Sequence, residues 1–264
     1  MLRCLLTAAA VILATSSGSA HDAWLQVNTN VVRVGDAVTI DLMLGNHGNN
    51  HRDFKLAGKT NPAAGPLEVV APDGKRYDLK DRLTDTGYTP KEGFWSTRFV
   101  GEQAGLYLVS RLSDQVVSYA PKRSVQSAKT CCVISRSLDQ VPPDNPGFDK
   151  PLGHPLELVP VANPVTPMGP GQAIRVRLLF KGQPLSAETV SFIPRGEELT
   201  EEFDPRYERQ TDAEGRASFT PKEGDYYLVA AHREAPESGQ GYDATKYSAT
   251  LCIYVPHLCP CCGE

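Results

Sequence analysis

Ala37-Val38-Thr39-Ile40-Asp41-Leu42-Met43-Leu44, entered through the turn signal Gly35-Asp36, alternates apolar and polar residues in its first half and is rich in β-branched side chains. A period of two is the pattern of a strand with one face in a core. Working outward, Leu67-Glu68-Val69-Val70 and Tyr77-Asp78-Leu79 flank Pro72-Asp73-Gly74. An Asp-Gly pair suits the positive φ angles of a tight hairpin. Residues 94–100 and 106–112 read as two further strands, and no sustained helical period of apolar residues interrupts them. Strand signals return at 156–161, 173–180, 189–193, 217–220, 226–231 and 247–255, with turns expected at Lys181-Gly182-Gln183-Pro184 and Asp212-Ala213-Glu214-Gly215. The expected class is all-β, with two β-sandwiches in tandem.

The boundaries follow from composition. Arg3, an apolar run over residues 5–14 and the small residues Ser17-Gly18-Ser19-Ala20 have the layout of a secretory signal cut after Ala20. That places the product in the periplasm or outside the cell. Val141-Pro142-Pro143-Asp144-Asn145-Pro146-Gly147, followed by Pro151 and Pro155, suits neither helix nor central strand. The expected plan is therefore a signal over 1–20, a first sandwich over 21–139, a linker over 140–155, a second sandwich over 156–255 and a cysteine-rich tail over 256–264. The net charge of −4 and the lack of any dense basic run argue against a nucleic-acid partner.

Cleavage after Ala20 would expose His21 as the N-terminus. Its α-amine and imidazole Nδ1 can then close on one ion, as in copper proteins that use a histidine brace. The amine's reference pKa of about 7.7–8.0 makes freeing its lone pair at neutral pH cost on the order of 1 kcal/mol. Metal binding returns roughly ten times that. The best source of further ligands is the polar, glycine-punctuated stretch 45–53, which carries His47, His51 and Asp53. His232, at the end of a predicted strand, is a further candidate if the two halves fold back on each other. His154 and His257 carry no comparable signal. Nitrogen ligands with a carboxylate suit Ni, Co, Cu or Zn, with Cu(II) bound tightest on affinity alone.

Cys4 belongs to the signal, leaving Cys131, Cys132, Cys252, Cys259, Cys261 and Cys262. Disulfides are the ordinary expectation for an exported chain. The clustered tail also permits thiolate ligation of a soft ion. Adjacent Cys131 and Cys132 cannot bond to each other without strain, so each is expected to pair elsewhere.

The phrase Pro155-Leu156-Glu157-Leu158-Val159-Pro160, with Asn163-Pro164, Arg175-Val176-Arg177-Leu178-Leu179-Phe180 and the histidine-first start His21-Asp22-Ala23-Trp24-Leu25, resembles an exported bacterial family of unknown function. Leu44-Gly45-Asn46-His47 and Thr211-Asp212-Ala213-Glu214-Gly215 extend the resemblance over nearly all of the chain after the signal. Members are described as periplasmic components of nickel and cobalt uptake systems. The resemblance implies two Ig-like or prealbumin-like domains, a divalent-metal cargo and a membrane metal transporter as partner.

Enzyme motifs are absent from the sequence: there is no Gly-x-Ser-x-Gly elbow, no His-Glu-x-x-His and no phosphate-cradling glycine loop. Glu197-Glu198 and Glu201-Glu202 lie in a charged stretch that reads as a solvated loop, and Trp24 and Trp95 read as core aromatics. Two other classes stay open. One is a copper oxidase resembling the lytic polysaccharide monooxygenases, which also begin with histidine in a β-sandwich. The other is a non-catalytic carbohydrate- or surface-binding protein.

Overall fold

The computed structural model describes residues 21–47, 60–87, 89, 92–117 and 120–257. In chain order its strands are β1 (Asp22–Val27), β2 (Val31–Arg33), β3 (Ala37–Gly45), β4 (Leu67–Val70), β5 (Arg76–Asp78), β6 (Thr84–Asp85), β7 (Trp95–Val100), β8 (Gly105–Val116) and β9 (Lys122–Ser135). They continue as β10 (Leu156–Pro160), β11 (Ile174–Phe180), β12 (Gln183–Pro184), β13 (Thr189–Pro194), β14 (Glu208–Gln210), β15 (Arg216–Phe219), β16 (Asp225–Ala235) and β17 (Ala244–Val255). The described residues form no α-helix, so the all-β class holds.

The described strands form three sheets. A four-stranded sheet runs β1-β3-β7-β6, a second joins β10, β11, β12 and β15, and a nine-stranded sheet runs β14-β13-β16-β17-β9-β8-β4-β5 with β2 beside β9. The first small sheet covers one half of the large sheet, with Leu25, Val38, Ile40 and Leu42 meeting Val69, Val109 and Ile134. The other covers the second half, with Leu158, Val176 and Leu178 meeting Phe192, Val229 and Leu251. Two sandwich cores are present, as expected, but they share a sheet: β9 of the first half pairs in parallel with β17 of the second, Thr130 opposite Cys252.

β9 is absent from the sequence reading because its first half, Lys122-Arg123-Ser124-Val125-Gln126-Ser127, lacks an apolar alternation. It is nevertheless the inner strand joining the halves, and its polar residues are satisfied individually. Lys129, with a side chain 2% exposed, donates through Nζ to Glu157 Oε1 at 2.9 Å. Glu157 also accepts the backbone N–H groups of Leu152, Gly153 and His154 at 2.6–3.1 Å. Burial pushes the Glu157 carboxyl up, but Lys129 and these N–H donors outweigh it and hold it below the ordinary range.

The passage expected as a spacer is thereby packed in. Val141, Phe148 and Leu152 lie against the cluster of Leu106, Leu108, Val133 and Val165. Asn145 donates to the Pro142 carbonyl and to Thr166 Oγ1 at 2.7 Å each. Proline excluded regular structure here, not burial. The turns also follow local chemistry. Only Gly74 of the Asp73-Gly74 pair takes positive φ, at 85°, while the Asp73 carboxylate accepts the Lys75 N–H. Lys181 and Gly182 both take it, at 50° and 79°, turning β11 into β12.

Removing one member of a buried ion pair strands the other, which costs about 3–5 kcal/mol. Glu157→Leu is expected to lose at least that much in urea unfolding. Adding Lys129→Met should recover only part, because three backbone N–H groups still lack their acceptor. A second expectation concerns acid. Buried His154 shares a 2.7 Å hydrogen bond with Ser127, and burial lowers its pKa to about 4. Between pH 6.5 and 5 the unfolded chain takes up a proton there that the folded chain refuses, so stability should fall by about 2 kcal/mol. Unfolding midpoints at pH 7 and pH 5 should show that loss, flattened in His154→Asn.

Candidate functional site

β1 is buried on both faces, which explains why so polar a start as His21-Asp22 leads into a fixed strand. Leu25 enters the first core. On the other face Trp24 packs with Met43, Leu228 and Cys252, wedged against β16 and β17 of the second half. Thr250 Oγ1 donates to the Ala23 carbonyl at 2.8 Å, adding a polar tie across the same joint. His21, just ahead of β1, is half-buried.

The antiparallel register of β1 and β3 sets Asp22 opposite Gly45, so the chain leaves β3 toward His47 at the same end where β1 begins. His47 takes φ 50°, in the left-handed region that costs a non-glycine residue roughly 1–3 kcal/mol. Its imidazole, 1% exposed, meets the Trp24 ring edge-on at 5.4 Å. Its carbonyl accepts the Gly196 N–H at 3.2 Å, so the second half grips it as well. The ring lies beside the Ile193 backbone, yet neither nitrogen makes a hydrogen bond of normal geometry. Burial, with the Arg195 guanidinium nearby, lowers its pKa to about 3, keeping the ring neutral at physiological pH.

His232 comes to the same place from β16. Its Nε2 lies 2.7 Å from Asp22 Oδ1, and its side chain is 39% exposed. The Asp22 carboxylate raises its pKa above the ordinary imidazole value. The structure therefore brings His47, through Trp24, and His232, through Asp22, to the end of β1 that follows His21. His51 and Asp53 lie outside the described residues. Two contributors escaped the sequence reading, Asp22 and Arg195. Asp22 adjoins His21, but nothing in the sequence links it to His232, its hydrogen-bond partner 210 positions away. Arg195 had no sequence signal linking it to residue 47.

Of the cysteines, Cys131, Cys132 and Cys252 lie among the described residues, and all three are buried and unbridged. Cys131 faces Leu106, Leu108 and Val165, whereas Cys132 faces Val109 and Ile134, so the pair points to opposite faces of β9 and cannot share an ion. Both are thiols. Burial raises both pKa values, that of Cys132 to about 12, which removes thiolate character at neutral pH. Cys252 is committed to the Trp24 cluster. Cys259, Cys261 and Cys262 lie outside the described residues. His154 belongs to the buried joint, and His257 is exposed after β17. Among the described residues no three His, Cys, Asp or Glu side chains gather closely enough to hold an ion.

This is an all-β protein of fused sandwiches with a histidine-rich end to β1. Residues 18–235 match the family described as Domain of unknown function (DUF4198), and the chain belongs to that family. No curated protein matches it. Among solved structures it is similar to the D0-D1 domain of intimin, with 12% identity, 88% of this chain and 97% of that one covered, and a TM-score of 0.22. It is similar to trypsin-activated alpha-2-macroglobulin from Escherichia coli, with 12% identity, 90% and 16% covered and a TM-score of 0.25. A third is the ectodomain of mouse nectin-like molecule 4, with 11% identity, 91% and 66% covered and a TM-score of 0.22.

The Asp22–His232 pair has a definite pH signature. A histidine whose folded pKa is raised contributes stability that is complete below its unfolded value of about 6.5 and is lost as pH rises through the folded value. Asp22→Asn should therefore move the NMR titration of His232 down toward about 6.5 in chelator-treated protein. It should cost less than about 1 kcal/mol at pH 6, because the imidazole is screened by solvent. An unchanged His232 titration would remove Asp22 as the cause.

Proposed function

We propose that the chain, cut after Ala20, binds a divalent transition metal through the His21 amine, the His21 ring and the His47 ring, and serves as an exported metal-holding component of an uptake system. A brace of this kind draws three nitrogens from two residues, so it needs no cluster of three side chains. The single observation that carries the reading is His47, a buried imidazole held neutral beside the Ile193 backbone with no well-formed hydrogen bond at either nitrogen, in a strained backbone conformation, at the end of β1 that follows His21. Leaving a buried polar group unpaired costs about 1–3 kcal/mol, and left-handed backbone adds to that. A metal bond to one nitrogen would offset both.

Asp22 and His232 support the reading from one layer out. Their hydrogen bond fixes the first residue of β1 against the second half, which limits the directions the residue before it can take. Ni, Co and Cu all suit nitrogen ligation, and a membrane transporter is the partner such a carrier would serve.

Titration of the mature protein with Ni(II), Co(II) and Cu(II) tests the chelate. Adding one alanine ahead of His21 converts the amine into an amide and should weaken binding by at least about a hundredfold. His47→Phe, which keeps the edge-on packing on Trp24, should weaken it by about 10–100-fold. Equal affinities in all three proteins would sink the proposal.

A further inference from the structure

Arg111 is an oddity of β8. Its side chain is buried, at 4% exposed, on the strand between Leu67 of β4 and Ala128 of β9. One guanidinium nitrogen, Nη2, donates to the Asn61 carbonyl at 2.6 Å. Nε is fully buried and has no acceptor among the protein groups around it. Burial alone acts on its pKa, drawing it down to about 10, so the group keeps its charge at neutral pH with no described carboxylate to balance it. This differs from the other buried cation, Lys129, which has Glu157.

A cavity of about 10 Å³ opens beside Arg111. Among the described residues its polar lining consists of Thr60, Asn61, Ser113, Gln115 and Gln126 with the guanidinium, none of them an acid. The Thr60 hydroxyl is buried there without a hydrogen bond. Ser113 Oγ donates to Gln126 Oε1 at 3.4 Å, which leaves the Gln126 amide hydrogens to donate elsewhere. A positive charge, an unused hydroxyl donor and side-chain amides surround a space about the size of one water molecule. A charge this well buried is costly without a counter-charge.

We propose that this cavity is a binding site for one small monovalent anion of halide size, held by Arg111 Nε and the Thr60 hydroxyl, with chloride as the occupant in ordinary media. A space this small favours a single-atom occupant over a polyatomic anion such as phosphate. The site lies on the face of β1 and β3 that carries Ala23 and Leu44, away from the Trp24 and His47 face, and stands independently of any metal. The wall that closes it is fixed by close packing: a Cβ on Gly65 would come within 1.8 Å of the Leu112 carbonyl oxygen, so the 60–65 segment can lie against β8 only with glycine there.

The test is made on the mature protein with its cysteines reduced. In crystals soaked in bromide, an anomalous peak within hydrogen-bonding distance of Arg111 Nε is expected, and ³⁵Cl NMR should show line broadening that bromide competes away. Arg111→Gln should abolish the broadening. Thr60→Val, which keeps the shape and loses the donor, should weaken apparent chloride affinity about tenfold; it decides the matter if Arg111→Gln does not fold. Bromide absent from the cavity, with a water in its place, or broadening unchanged in Thr60→Val, would overturn the proposal.

Discussion

An ammonium group in the middle of an inner strand must be neutralised on the spot, and Lys129 meets that demand through Glu157. The consequence is topological. Lys129 belongs to the first half of the chain and Glu157 to the first strand of the second, so the pair can form only when β9 and β10 approach at one register. Because Glu157 also gathers three successive N–H groups ahead of its own strand, the 152–154 turn is fixed by the same carboxylate. Replacing such a pair with apolar residues is often thermodynamically neutral, so its value here is specificity. It excludes every arrangement of the halves in which either charge lacks the other.

With that joint set, β9 lies alongside β17 and the sheet is continuous, which leaves β1 to fill the angle between the halves. Trp24 closes the angle from one side and Thr250 bonds across it. The neighbourhood of His21 is a product of this closure. His47 is held by Gly196, and Asp22 by His232, each contact pairing a residue of the first half with one of the second. Neither half alone would contain the site.

Much of the fold was legible because β3, β4, β8, β11 and β16 announce themselves through alternation or β-branched runs, which are local properties. β9 was not legible, since its polarity is tolerated only through partners such as Glu157 and Cys252, the latter far along the chain. The same distinction governs the site. His21 and His47 could be singled out as residue types in a suggestive setting. The Asp22–His232 bond, which joins residues 210 positions apart in sequence, could not. The proline-rich passage shows a further limit: a run of prolines disfavours a central strand, and that says nothing about whether a segment is buried, as Asn145 and His154 demonstrate.

His47 and His232 share a neighbourhood yet are driven in opposite directions, one by burial beside a cation and the other by a carboxylate. At neutral pH the first is a neutral imidazole with one ring lone pair, while the carboxylate beside the second favours its charged form. Environment thus separates two identical side chains into different chemical roles. In the proposed chelate, a metal arriving at His47 displaces no proton from it. The proton cost of binding then falls on the His21 amine, whose ordinary pKa of about 7.7–8.0 lies just above physiological pH. Mild acid would act on capture through the amine and the His21 ring, well before it reached His47.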